Sequence, residues 1–561
     1  MKNFITICFL LMMSFYASAQ KNNQIKEVKG TEFKPAPADR TSTFPNAVKV
    51  GDYYYVIGKK YDLMFRNYLI WGVPSLVNSD FKIYKLDAKM NVKSVATVPA
   101  EFYTKAVNSL TLKRFGDNLC AIFYFNNRKQ LKQYLFAQMI DLKSFKAIGK
   151  PYKIAESGIT KKDKRVSSLY QVSVTADYQK MLITSDRTNV WQSRKERKAA
   201  AAQKNHTFSY WLIDKDFTLL NVGKNVKFGK GNTEVIGQTF DNQGNMCFLG
   251  FEEASNTKKK KKMFGDVDSD EESNSSKLVM KIIKPDGEST DLTFANGEYF
   301  YSATLRLNPN TGNVAVIGLL GSGRYGSKGI FSQQVNLATA EVLTENKQEF
   351  GEELVKQINE LKPPATKDKK PAKEKPAKTG KTSKPKANSK PAKPVKQDFI
   401  YRFVNLGAVH YNDSNELVVV GQKYYTYTVT YTTTNSKGQT TTRTVTYYVY
   451  SDILAFKLNA EGQIENFGYL FHHYETTIPI SKDYSSLYAN DKLYVITKTG
   501  GGQIKLDNKA SAISAFKEAD TYRKRKYLFA DFVPVTDNEL VHILANRRKI
   551  LFSLMSVKLE D

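Results

Sequence analysis

The feature that most constrains this chain is the stretch from Val409 to Asn459, where residue character alternates with a period of two rather than 3.6. Tyr425, Tyr427, Val429 and Tyr431 alternate with Thr426, Thr428, Thr430 and Thr432. Arg443, Val445, Tyr447 and Val449 alternate with Thr442, Thr444 and Thr446. Such a pattern forms two strands with one Tyr/Val face and one Thr face. A loop of Ser436, Lys437 and Gly438, with Gly438 left-handed, places Tyr431 opposite Arg443 and Tyr427 opposite Tyr447. Strands of about 12 residues reach roughly 40 Å, longer than one sheet of a repeat fold needs, so the hairpin should project.

The flanking segments repeat one design. An Asp/Asn/Gly turn such as Asp241-Asn242-Gln243-Gly244-Asn245 precedes a short apolar strand, and an alternating strand precedes a second such turn. About seven strand quartets of this kind follow one another without a change of pattern. The sequence therefore predicts an all-β, β-propeller-like ring of about seven four-stranded units spanning residues 20–561, with a pair of β-sandwiches as the alternative. The last quartet lacks a strand. A strand near Ile25–Phe33 is the candidate to complete it and close the ring.

Three segments break the design. In Glu345–Leu361, Phe350, Leu354, Ile358 and Leu361 fall at helical spacing and predict one amphipathic helix ending before Pro363-Pro364. Residues 362–398 form a Lys/Pro-rich insertion too polar to build a core, expected to be a disordered loop within the ring. Residues 258–276 join a lysine block to an acidic block and read as a charged flexible insertion. Beyond the lysine-rich loop, the order YRFVNLGAVHYNDSNELVVVGQKYY, hairpin, YVYSDILAFKLNAEGQIENFGYL and DYSSLYANDKLYVI resembles a family of secreted, β-rich, propeller-like bacterial proteins of unassigned function. The resemblance covers the C-terminal half and implies a scaffold, not a reaction. Where that family tends to have a Glu before a Tyr pair, this chain has Gln422 and Lys423 before Tyr424 and Tyr425.

Residues 1–19 carry Lys2, an apolar run from Phe4 to Tyr16 and the small-residue site Ala17-Ser18-Ala19, which read as a cleaved export signal. The apolar run is shorter than the roughly 20 residues of a membrane span. The expected product is exported to the periplasm or cell surface, with no membrane span. Cys8 leaves with the signal, and Cys120 and Cys247 occupy matching Asn-x-Cys positions at strand starts, so both are expected as buried free thiols. The net charge of +29 is unevenly placed, for 13 lysines against Asp368 and Glu374 give the 362–396 segment a net +11. That loop is suited to an anionic polymer; the distribution does not indicate specific nucleic-acid binding.

Catalytic patterns are sparse. Gly321-Ser322-Gly323-Arg324-Tyr325-Gly326 satisfies G-x-G-x-x-G but precedes a strand instead of a helix. Asp266, Asp268 and Asp270 begin like a calcium loop, yet Glu271 replaces the turn glycine and Lys277 the bidentate acid. His472 and His473 at strand spacing point to opposite faces. No cofactor or metal is expected. Two functional readings follow. The first is a non-enzymatic binding or scaffolding protein of the cell envelope, recognising a protein or glycan through Tyr425, Tyr427, Tyr431, Arg443 and Tyr447. The second is an exported hydrolase acting on a polymer, with carboxylates gathered at one propeller face.

Overall fold

The computed structural model describes residues 25–557 apart from 36–42, 60–61, 65–74, 78–80, 99–108, 160–168, 187–206, 229–231, 254–276, 295–297, 323–325, 357–403, 435–439, 478–483, 490–491, 498–499, 505–528, 546–548 and several single positions. The leader 1–19 and the insertions 258–276 and 362–398 thus lie outside the described residues. Eight antiparallel sheets of three or more strands follow in chain order among the described residues, and a two-stranded one pairs Asp62–Met64 with Ser75–Val77. We number the eight as blades I to VIII, spanning residues 43–98, 109–158, 170–227, 232–294, 300–349, 404–476, 484–504 and 529–557. Seven contain a path of four hydrogen-bonded strands, as the repeat predicts. Blade VII shows three, Tyr484–Ala489, Lys492–Thr497 and Gly500–Ile504.

Eight apolar clusters join these eight sheets in sequence and close them into a ring. Ile57 and Phe81 of blade I meet Leu112 and Phe123 of blade II; Ile122 of blade II meets Ile183 of blade III. The series continues through Leu182 with Phe248, Leu249 with Val316, Ile317 with Val419, and Val420 with Val495. Leu487 and Leu540 join blade VII to blade VIII, and Phe552 returns to Phe44 and Tyr84 of blade I. A sheet that buries both faces against neighbours needs continuous apolar strands, which Val418, Val419 and Val420 supply at 0% exposure. Polar stitches cross the joints: Asn46 Oδ1 accepts the Leu112 amide at 3.0 Å, Gln133 Oε1 the Leu169 amide at 2.8 Å, and Ser302 Oγ the Leu406 amide at 3.0 Å.

Ring closure uses the chain's first described strand. Ile25–Lys29 pairs antiparallel with Ile550–Val557 as the fourth strand of blade VIII, and Phe33 forms a further bridge with Ile550. The expected helix over 345–361 is corrected. Val342–Glu349 is the outer strand of blade V, and helical residues begin only at Glu352 and include Leu354–Val355–Lys356. After Val342 and Leu343 the outer strand is polar on both faces and its residue types show no period of their own. All the apolar residues that signalled a helix start at Phe350, which stacks on Phe456 of blade VI with centroids 5.5 Å apart.

The two ends of the ring differ. Turns between first and second strands, and between third and fourth, are short and close on their own side chains. Asp87 Oδ1 accepts the amides of Lys89 and Asn91, Asp214 those of Asp216 and Thr218, and Asp241 those of Gly244 and Asn245. Because successive strands run antiparallel, the connections between second and third strands all emerge at the opposite end. The second strands of blades III and IV end there, at Asp186 and Glu253, and the hairpin of blade VI extends from that end.

Cys120 and Cys247 are free and fully buried on the second strands of blades II and IV. Burial raises both thiols above their ordinary range and pushes Tyr124 up to about 12; burial, then neighbouring Tyr53, pushes Tyr55 to about 12. In the unfolded chain thiols titrate near 8.5 and phenols near 10. From about pH 8.5 to 12 the unfolded chain therefore loses protons that the folded chain keeps, and stability falls as pH rises. The urea midpoint is expected to be lower at about pH 11 than at about pH 8, and both thiols should resist alkylation at about pH 8 until urea is added.

Candidate binding surface on the extended hairpin

The strands of blade VI are longer than the sequence pattern suggests. Leu417–Thr434 has 18 residues and Thr440–Leu458 has 19. Their inner halves, Leu417–Gln422 and Ile453–Leu458, belong to the ring; a register shift between Gln422 and Tyr424 marks the departure. Such a bulge bends and twists a strand, which re-aims the outer half. From Tyr424 opposite Tyr450 to Thr434 opposite Thr440 the ladder is unbroken, and it places Tyr431 opposite Arg443 and Tyr427 opposite Tyr447. The loop 435–439, with Gly438, lies outside the described residues, as does the Arg443 side chain.

A two-stranded ribbon is marginal in water, and this one carries reinforcement. At its base, Tyr474–Thr476 adds a short third strand against Tyr448–Tyr450. On the Thr face there, Tyr450 lies 5.0 Å from Tyr424 and 6.2 Å from Tyr474, ring centre to ring centre. Further out, Thr430 and Thr444 hydroxyls meet at 3.4 Å. On the Tyr face, the rings of Tyr427 and Tyr447 stack at 5.1 Å with 12° between planes, and the Tyr431 and Tyr447 hydroxyls share a hydrogen bond of 2.9 Å.

The Tyr face is open to water although the hydroxyls of Tyr427, Tyr431 and Tyr447 are engaged. Tyr427 is 40% and Tyr431 46% exposed, while Tyr425 and Tyr447 are half-buried. The Tyr427 hydroxyl donates to Glu475 Oε2 at 3.0 Å. Desolvation, and then the Glu475 carboxylate that holds the proton, raise the Tyr427 phenol above its usual range. Locked rings with exposed area lose little rotamer entropy on contact, which suits recognition. Sequence reasoning had not joined Glu475, Tyr424, Tyr450 and Tyr474 to this surface. Their signal is faint because Tyr474–Thr476 spans only three residues and returns to the ribbon after a complete outer strand.

Elsewhere, several described carboxylates hold turns or ion pairs. Burial opposes ionisation of Asp87, yet the amides of Asn91 and Lys89 and the Lys93 ammonium hold it below the usual carboxylate range. The Ser144 amide does so for Asp141, and Lys132 with Lys153 for Glu156. Lys347 and Lys328 likewise outweigh burial at Glu298. Glu539 of blade VIII bridges to Lys49 at 3.0 Å and accepts from Tyr54 at 3.2 Å, tying the closing joint. His472 is buried and His473 exposed, on opposite sides of the chain. Gly321-Ser322 and Gly326-Ser327 pair with each other across a hairpin of blade V.

No family model matches the chain, and no curated protein matches it in sequence. Among solved structures, it is similar to the WD40 domain of SCAP from fission yeast, at 8% identity and a TM-score of 0.38 over 96% of this chain and 99% of that one. Similarity to the polysaccharide lyase Uly1 has 9% identity and a TM-score of 0.33 over 95% and 99%. The β-propeller domain of the Trilobed protease from Pyrococcus furiosus aligns at 9% identity and 0.31 over 79% and 97%. Likenesses this remote assign no chemistry. The propeller is established by the chain's own sheets and the cyclic order of its joints.

Proposed function

We propose that this is an exported, non-enzymatic binding or scaffolding protein of the cell envelope, presenting the ribbon of blade VI to a protein or glycan. The observation that carries this reading is the Tyr face: stacked, hydrogen-bonded rings, 40% and 46% exposed at Tyr427 and Tyr431, on strands that outrun their blade. Monomers seldom expose aligned aromatic area without use. The lysines of 362–396 would add a salt-screened attraction to an anionic envelope polymer. The polymer hydrolase would instead need a general acid held protonated near neutrality.

Replacing Tyr427 and Tyr447 together by Ser removes the stacked pair from a surface that touches water. Pull-down of components from an envelope extract is expected to fall about tenfold or more, the equivalent of roughly 1.4 kcal/mol, with melting close to that of the parent. Unchanged capture would refute the reading. A melting loss of many degrees would instead show these rings to be packing residues.

A further inference from the structure

Among the described residues ten large apolar side chains are exposed, and five of them, Ile148, Tyr152, Leu219, Leu220 and Val222, stand on the outer strands of blades II and III. Leu219 and Tyr152, at 52% and 51%, are more exposed than any described ring of the ribbon. Four of the five line the two sides of one crevice. Ile148 pairs opposite Met139 and Tyr152 opposite Ala137, while Leu219 pairs opposite Ile213 and Val222 opposite Trp211. Residues facing each other in a ladder share a face of the sheet, and Met139, Ala137, Ile213 and Trp211 all pack in the cluster that joins blade II to blade III. The crevice therefore continues the joint outward, past the point where the two sheets touch. Its floor is aromatic: Tyr152 stacks on Phe217 at 5.2 Å with 18° between planes, and Phe217 lies 5.8 Å from the fully buried Phe115. The four turns of blades II and III at this end of the ring, 116–117, 141–146, 175–179 and 215–218, are all described, so the open mouth is a property of described residues.

The charge around the crevice selects its occupant. Segments 141–158 and 214–227 carry seven lysines against four acids. Two of those acids, Asp141 and Asp214, accept amides of their own turns, and Glu156 is shared by Lys132 and Lys153. Lys146, Lys150, Lys224 and Lys227 are exposed and meet no carboxylate among the described residues. Val342 and Leu343 of blade V are exposed as well, but their strand carries Glu345, Lys347 and Glu349, with the lysine held by Glu298. We propose that the crevice between blades II and III binds a segment of another protein, an acidic peptide carrying two or more large apolar side chains. Two walls meeting at an aromatic floor form a slot that takes side chains one at a time, whereas a bilayer presents a flat surface. The unclaimed lysines favour Asp or Glu beside those side chains and reject a basic partner. Tyr152 is already locked by its stack on Phe217, so little rotamer freedom is lost on contact. The site is independent of the ribbon, which extends from the opposite end of the ring.

The test selects phage-displayed random peptides on the purified chain from Gln20 onward, with counter-selection on L219E/V222E. Both substituted side chains are exposed, so that variant should melt with the parent. The recovered peptides are expected to combine large apolar residues with Asp or Glu. A synthetic copy of the most frequent one should bind L219E/V222E about tenfold or more weakly, the scale of a lost anchor contact. K150E/K224E leaves the apolar walls in place and should bind it about fivefold more weakly, a loss that shrinks as salt screens the exposed charges. The Tyr427/Tyr447 double variant should bind it as the parent does, which separates this site from envelope capture by the ribbon. Vesicles of phosphatidylcholine and phosphatidylglycerol should sediment the parent and L219E/V222E alike. A selection that yields no peptide sensitive to L219E/V222E, a pool without acidic residues, or full binding by K150E/K224E would each overturn the proposal. Vesicle binding lost in L219E/V222E would make the crevice a membrane contact instead. Peptide affinity that rises when 258–276 is replaced by a Gly/Ser linker would assign the crevice to the chain's own acidic block and equally overturn it.

Discussion

Replacing Phe552 by Ala is expected to lower the unfolding free energy by about 3–5 kcal/mol. The side chain is fully buried in the joint where the ring closes, and its neighbours come from the far end of the sequence: Phe44 at 5.9 Å edge-to-face and Tyr84 at 5.5 Å between centroids. The surroundings cannot collapse into the space. Phe44, Val56, Tyr84 and Ile543 are held on sheets whose backbone positions are fixed by their own ladders. The cavity term should therefore approach its upper range. Chemical denaturation of parent and variant measures the loss. A value under about 1 kcal/mol would show that the closing joint is loosely packed.

The closing joint was legible in the sequence for a plain reason. A quartet short of one strand has an open edge, and Ile25–Lys29 is the chain's spare strand. The register of the ribbon was legible too, because a period-two pattern fixes the faces and the glycine-containing loop fixes the offset. Tyr427 opposite Tyr447 and Tyr431 opposite Arg443 followed from those two facts alone.

What escaped the sequence did so where pattern and hydrogen bonding part company. Leu417–Gln422 is apolar on both faces and Tyr424–Thr434 alternates, so one strand of 18 residues reads as two short ones. The ladder nevertheless continues through the bulge. Blade VII was harder still, since Gly500-Gly501-Gly502 supplies no side chains to alternate, yet pairs with Ile496, Val495 and their neighbours. The outer strand of blade V lost its identity to solvent, and a genuine helical spacing beginning at Phe350 was extended backwards over it. At the candidate surface the five chosen residues share one ribbon, but Glu475 reaches Tyr427 only through the third strand, a contact that no local spacing announces.

Gly30→Ala should open the ring at the same joint by a different route. Gly30 follows the closing strand, and its amide donates to the Phe552 carbonyl at 3.0 Å. A methyl group there would stand 2.0 Å from the Met90 carbonyl oxygen and 2.6 Å from its carbon. These are backbone atoms of a turn that cannot yield: Met90 is fully buried with φ of 60°, and Asp87 Oδ1 accepts the amides on both sides of it, from Lys89 and Asn91. The strand Ile25–Lys29 must then lift from Ile550–Val557, losing its ladder and the packing of Val28 and Phe33. A loss of about 3 kcal/mol or more is expected, at or above the usual range for overpacking. Gly51→Ala provides the comparison. Gly51 is left-handed at φ +56° with nothing within 4 Å of the added methyl, so its effect should stay near the 1–2 kcal/mol of backbone strain. Limited proteolysis separates the two variants, since detachment of the closing strand frees the paired backbone at Lys26 and Lys29 for trypsin only in Gly30→Ala. Equal melting and equal protection of both variants would mean that the ring does not depend on its first strand.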